Sequence, residues 1–254
     1  RKGVAGYLKK GAGKVFGQAA KPPLTFFAND LDTGILVSRD FPEAETPLAL
    51  AIKGGDNGEG HGHDDCGSFC ILLGERFRIG DPGVPVYFTD TQAAAKSSYA
   101  HPVPLVDGRM QATGKKGFAK VIECNEGNDG TTSIAYDLSS AYELKEPEKL
   151  TRSCTHDRKE RFIRITDTFE FSKPTAFESA LTSFAVPEKV SENVWRMDGL
   201  RVEFHGQGGK LVFRHEELDI RMRNEKKVQR LSCSLAEKAT RGSIGVTIIP
   251  EEVE

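Results

Sequence analysis

An all-β fold, a large antiparallel β-sandwich with room for a smaller C-terminal β subdomain, is what this sequence predicts. Two observations carry the expectation. From Leu24 onward, short apolar or alternating runs recur, separated by turn signals such as Asn128-Asp129-Gly130, Met197-Asp198-Gly199 and Gly206-Gln207-Gly208-Gly209. No long stretch of helical periodicity intervenes, which argues for a sandwich over alternating βαβ units. The 254 residues suit one large all-β domain or two smaller ones.

Taken in order, residues 1–23 are a lead-in or the tail of an upstream helical domain. They are rich in Lys, Gly and Ala, place Val4, Tyr7, Leu8, Val15 and Phe16 loosely at helical spacing, and end at Lys21-Pro22-Pro23. Residues 24–254 form the sandwich region, with a subdivision near 185–190. Strands are expected at Ile35–Ser38, Leu48–Ile52, Phe69–Leu73, Arg76–Ile79 and Val84–Phe88, then at Phe118–Cys124, Thr131–Leu138 and Arg161–Phe171. The last of these alternates polar and apolar residues, as a half-buried antiparallel strand does. Phe177–Phe184, Val194–Met197, Leu200–Phe204 and Lys210–Phe213 continue the series, followed by Leu218–Met222, Val228–Leu235 and Ser243–Ile249. Helix is expected only in the first 20 residues or in the 139–150 connection, where Pro147 limits it.

Composition narrows the function. Hydrophobic content of 38% and charged content of 28% are ordinary for a globular protein. A net charge of −2 supplies no global attraction to nucleic acid or to an anionic membrane. No apolar run approaches the roughly 20 residues that span a bilayer, so neither nucleic-acid binding nor membrane insertion is expected. The chain opens Arg1-Lys2-Gly3 without Met or a signal peptide, and is expected to be a piece of a longer protein whose targeting segment lies upstream. Its five cysteines, an odd number with no Cys-x-x-Cys, are expected to be free and mostly buried. Cys66 and Cys70, four apart near a strand start, are poorly placed to bridge.

The chemistry concentrates in Asn57-Gly58-Glu59-Gly60-His61-Gly62-His63-Asp64-Asp65-Cys66-Gly67-Ser68-Phe69. In extended chain, residues i and i+2 project to one side, so His61 and His63 address one site. Two of the six histidines are spent here. Eighteen positions past His63 stands Asp81, and twenty further stands His101. Two imidazoles and a carboxylate suit zinc, which accepts mixed N and O ligands in a tetrahedral shell. His61 is then either a fourth ligand or a free imidazole beside the metal; spacing does not choose between them. Tyr87 and Tyr99, lying between the metal ligands, are candidate substrate contacts, with aromatic packing as the competing reading. His156, His205 and His215 match no motif and read as ordinary core or surface residues. The basic stretches Arg152–Arg164 and Arg221–Arg230 are interleaved with Asp157, Glu160 and Glu225, and read as charge-protected strand edges more readily than as polyanion sites.

Three blocks in this order resemble a known family. The segment from Gly54 to Phe69 resembles the His-Asn-His-x-Asp-x-x-Ser-Phe segment of heparinase II/III-like polysaccharide lyases. Asp81-Pro82-Gly83 with Tyr87 resembles the next block, and His101 through Val106-Asp107-Gly108-Arg109-Met110-Gln111 resembles the His-Asn-Thr-Val-x-Val-Asp-Gly-x-x-Gln block. Gly62 and Pro102 stand where the family has Asn; Asp65 is the acid that matches, and Asp64 is extra. The resemblance implies a sandwich of the super-β-sandwich type that follows an upstream (α/α) toroid domain in the same protein. By position it implies His61 in catalysis, and His63, Asp81 and His101 on a structural zinc. It further implies an acidic, uronate-containing polysaccharide as partner, β-elimination as the reaction, and a periplasmic or secreted setting. Two other readings compete. One is a non-catalytic, zinc-stabilised carbohydrate-binding or scaffolding module. The other is a cupin-type metal enzyme: Gly55 and His61-x-His63 fit the opening of that signature, but Gly67 and Ser68 occupy the positions of its acidic ligand.

Overall fold

A computed structural model describes residues 23–29, 33–60, 62–145 and 147–251. The expected helical lead-in falls almost wholly outside them, and so does His61. In chain order the strands are β1 (Thr25–Ala28), β2 (Ile35–Arg39), β3 (Leu48–Ile52), β4 (Gly55–Asn57), β5 (Phe69–Leu73) and β6 (Arg76–Gly80). Next come β7 (Leu105–Val106), β8 (Gly114–Glu126), β9 (Thr131–Asp137), β10 (Lys149–Asp157), β11 (Phe162–Thr175) and β12 (Phe177–Ser183). The chain continues with β13 (Glu188–Lys189), β14 (Val194–Met197), β15 (Leu200–Gln207), β16 (Leu211–Leu218), β17 (Val228–Leu235) and β18 (Ala239–Pro250).

Two antiparallel sheets result. The first runs β1-β2-β3-β5-β6-β12-β17-β16, with β7 alongside β12; the second runs β13-β14-β15-β18-β11-β10-β9-β8-β4. They pack as the expected sandwich. Alternation drives it: β11 buries Ile163, Ile165, Asp167, Phe169 and Phe171 while its intervening residues face outward. Leu36, Leu50, Ile52, Phe69, Ile71 and Phe177 of the first sheet share one apolar core with Ile134, Tyr136, Leu150, Ile163, Phe169 and Ile248 of the second. Phe169 and Phe177 meet across the layers with ring centroids 4.5 Å apart. All five cysteines are free, and four are buried.

Three expectations are corrected. Val84–Phe88 is not a strand: it contributes only a bridge between Pro85 and Met222 before turning, because Pro82 and Pro85 withhold ladder donors. Correspondingly, β16 stops at Leu218, short of the 218–222 run. A short helix, α1 (Gln92–Lys96), forms outside the two places expected for helix; Ala93-Ala94-Ala95 supplies the propensity. A 3₁₀ turn at Ser140–Tyr142 is the helix of the 139–150 connection. The third correction is β10, a central strand paired to β9 and β11 that begins inside that connection. Its inward residues are Leu150, Arg152, Cys154 and His156, so only half of them advertise a core strand. The basic stretches are accordingly not simply edges: Arg152, Arg158 and Arg230 are buried.

Candidate metal centre

His63 and Asp65 sit on the loop between β4 and β5, Asp81 directly follows β6, and His101 follows a 3₁₀ turn at Ser98–Ala100. Side-chain hydrogen bonds hold these segments. Asn57 Oδ1 accepts the Asp65 N–H at 3.0 Å, and Gln111 brackets Cys66, its Oε1 accepting the N–H and its Nε2 donating to the carbonyl, each at 2.8 Å. Ser98 donates its hydroxyl to the Asp64 carbonyl at 2.6 Å and accepts the Gln111 N–H at 2.9 Å. The Asp81 N–H donates to the Phe69 carbonyl at 2.8 Å.

One donor atom from each of His63, Asp65, Asp81 and His101 lies within 4.8 Å of all the others. His101 Nε2 stands 2.9 Å from His63 Nδ1, 3.4 Å from Asp81 Oδ1 and 4.0 Å from Asp65 Oδ2. His101 Nδ1 is 2.9 Å from the Ser97 carbonyl. A carbonyl only accepts, so Nδ1 carries a proton and the neutral ring turns its Nε2 lone pair into the cluster. Asp65 Oδ1 takes the Lys53 ammonium at 2.5 Å, while Asp65 Oδ2 is buried with no hydrogen-bond partner. Two imidazole nitrogens in contact beside an orphaned carboxylate oxygen fit a borderline-soft divalent cation.

Protonation follows the same geometry. Burial, then the His101 charge, push the His63 pKa down to about 4. Burial also works against a charge on His101, but the Asp81 hydrogen bond and the Asp65 and Asp81 charges outweigh it and raise its pKa. Burial alone would raise Asp81; the His101 hydrogen bond and charge, with the Gly83 N–H, carry it well below the carboxylate range instead. A proton and a metal ion would therefore compete for the same His101 Nε2 lone pair.

The predicted trio His63, Asp81 and His101 is therefore brought together. Asp65 is a fourth potential donor that the sequence reading matched to a motif without assigning to the site. Its signal was present: it stands two residues beyond His63, the spacing already applied to His61 and His63. His61 lies outside the described residues. Its neighbours Glu59 and Gly62 line a cleft of about 610 Å³, together with Asn57, Thr89, Gln92 and Lys96. Tyr87 stands two residues from cleft-lining Thr89, its ring under the Arg223 guanidinium at 4.9 Å. Tyr99 donates its hydroxyl to Glu216 and packs its ring 4.1 Å from the Arg230 guanidinium.

His156 is a core residue, between Ser38 Oγ at 2.8 Å and Asp40 Oδ1 at 3.1 Å. The order Ser-His-Asp invites comparison with a nucleophilic triad. Ser38 is fully buried and also accepts from Arg158 at 3.0 Å, so no substrate carbonyl reaches it. His205 and His215 are exposed and bonded to Thr247 and Gln229.

The family model for the C-terminal part of heparinase II/III-like proteins matches residues 31–239. The heparan sulfate lyase HepC from Pedobacter heparinus superposes with a TM-score of 0.74 at 16% identity, over 93% of this chain and 38% of that one. A heparinase III superposes with a TM-score of 0.65 at 14% identity, over 87% of this chain and 36% of that one. This chain thus spans under two-fifths of the length of either enzyme. None of the curated proteins compared matches it. At such identities the superpositions establish the shared fold, and the family match, extending over most of the sequence, establishes kinship: the chain belongs to the heparinase II/III-like family, in its C-terminal region.

Proposed function

We propose that this chain is the β-sandwich portion of a polysaccharide lyase that cleaves an acidic, uronate-containing glycan by β-elimination, in a periplasmic or secreted setting. The observation that carries the reading is the convergence of His63, Asp65, Asp81 and His101 beside a cleft, in a chain of this family. Zinc held by His63, Asp81 and His101, with Asp65 as the additional donor, supplies structural anchoring of the loop that leads into the cleft. His61 is the catalytic residue of this chain. Elimination needs a base for the proton alpha to the carboxylate and an acid for the leaving glycosidic oxygen. An imidazole two residues from an anchored ligand, flanked by Gly60 and Gly62, suits the base or a charge-stabilising partner. Tyr87 and Tyr99 are substrate contacts in this reading, and the second half of the proton-transfer machinery belongs to an upstream (α/α) toroid domain.

The test is His61→Ala in the full-length protein. The expected result is loss of the unsaturated product, followed by its ultraviolet absorbance, with zinc content and melting temperature nearly unchanged. Retained activity removes His61 from the mechanism, and loss of zinc makes it a ligand. A second reading is a non-catalytic zinc-stabilised carbohydrate-binding or scaffolding module. A full-length protein that binds glycan without forming the unsaturated product would establish that alternative.

A further inference from the structure

We propose that Arg152 is the positioning residue of this metal centre, a single guanidinium that fixes the ligand-bearing segments relative to one another from the opposite sheet. The proposal rests on the zinc reading above. Arg152 stands on β10, in the second sheet, and is 1% exposed. Its Nε and Nη2 donate to the two oxygens of Asp167 at 2.7 and 2.8 Å, and Asp167 is itself held by the Ser179 hydroxyl at 2.8 Å. The remaining edge of the fork points at the site. Nη1 donates to the Gly67 carbonyl and to the Pro102 carbonyl, each at 2.7 Å.

Those two carbonyls are informative because of their neighbours. Gly67 lies two residues past Asp65 and four past His63, at a φ of +81° that disfavours a side chain. Pro102 directly follows His101. The Arg152 guanidinium also stands 5.7 Å from the Phe69 ring centroid, and the Phe69 carbonyl is the acceptor that holds the Asp81 N–H. One side chain therefore touches two of the three segments that carry donors, and reaches the third, that of Asp81, through Phe69. None of its contacts is to a donor atom, so it acts through the backbone.

Burial of a paired charge is weak evidence of stabilisation, because the desolvation of both partners offsets their attraction. What distinguishes this arginine is the use of a planar fork with two edges, one neutralised by Asp167 and the other spent on two loop carbonyls. Lysine has no such fork. Methionine fills similar volume but leaves the Gly67 and Pro102 carbonyls without their donor. A side chain that merely held the sheets together would lower stability when replaced, without changing the zinc affinity of the molecules that remain folded.

The experiment measures zinc affinity by competition with a chromogenic chelator, at a temperature where each variant is folded by circular dichroism. Cobalt(II) absorption in place of zinc reports ligand geometry. Arg152→Met is expected to weaken zinc binding about 10- to 100-fold, the range for groups that orient ligands without touching the metal, and to alter the cobalt spectrum. Arg152→Lys should fall between Met and wild type. His156→Gln, which breaks the buried contact to Asp40 far from the ligand segments in the chain, should lower the melting temperature and leave zinc affinity and the cobalt spectrum unchanged. If Arg152→Met does not fold, Asp167→Asn, which loosens the other edge of the fork, carries the same expectation. Wild-type zinc affinity in the folded Arg152 or Asp167 variants overturns the positioning role alone. Failure of the wild-type protein to bind zinc overturns the metal reading and this proposal with it.

Discussion

At the scale of the residue, the proposed centre sets protons and a cation in competition for the same lone pairs. His63→Ala removes a donor outright, so the zinc affinity should fall by more than the ~10- to 100-fold typical of groups outside the ligand shell, as read by chelator competition. The pH dependence has a definite sign. His101 has a raised pKa in the folded protein, so its stabilisation is fully present below about 6.5 and is lost as pH rises through the raised value. His63 is depressed to about 4, so its contribution is present above about 6.5 and is lost as pH falls toward 4. Metal-free protein should thus draw most stability from this pair near pH 6.5. If zinc takes the His101 lone pair, as proposed, the difference in melting temperature between zinc-loaded and metal-free protein should widen from pH 6 to pH 8. A difference that narrows over that range contradicts the assignment of His101 as a ligand. The trio was legible from residue types because His, His and Asp in a Gly-rich context have few purely structural uses. Lys53 and Gln111 were not legible as parts of the site. A half-buried lysine on Asp65 and an amide bracketing Cys66 follow from three-dimensional proximity, which no spacing announces.

At the scale of the element, alternation carried most of the fold and failed where a strand buries polar groups. The strands β11, β12, β17 and β18 place mostly apolar residues at alternate, inward positions, and their limits were readable within a few residues. β10 was missed because Arg152 and His156 occupy two of its inward positions, each satisfied by a partner distant in sequence. The reading of 152–164 as a solvated edge followed from the same blindness: a charge looks exposed until its partner is found. The failure at Val84–Phe88 was different in kind, since Pro82 and Pro85 were visible and their missing donors should have demoted that run. One consequence concerns the layer contact. Phe177 packs against Phe169 across the sandwich and is fully buried. Phe177→Ala should therefore cost about 3–5 kcal/mol, measured by urea denaturation. A cost under about 1 kcal/mol would mean that the layers close up around the lost ring, which close-packed interiors resist.

At the scale of the whole molecule, the proposed metal and the fold form one thermodynamic system, and the question becomes what this chain accomplishes alone. The candidate donors come from the β4–β5 loop, the end of β6 and the α1–β7 connection, segments that only the folded sandwich brings together. Zinc should bind the unfolded chain far less well, so free zinc at about 1,000 times the dissociation constant stabilises the fold by about 4 kcal/mol. For a protein of this size that corresponds to a rise in melting temperature of about 8–16 °C, at roughly 2–4 °C per kcal/mol. Chelator should reverse it, and a melting temperature indifferent to both additions would contradict the centre. Catalysis is expected to separate from this stability. The chain spans 38% of the length of HepC, and the phenols nearest the proposed base in sequence are Tyr87 and Tyr99, Tyr99 already engaged with Glu216. The 254-residue chain on its own should therefore fold cooperatively and take up one zinc, yet form no unsaturated product from heparan sulfate, alginate or any other uronate polymer. The full-length protein should form that product on one of them. Turnover by the isolated chain would place both proton-transfer groups inside the sandwich, and would make one of those two tyrosines, rather than an upstream residue, the partner of His61.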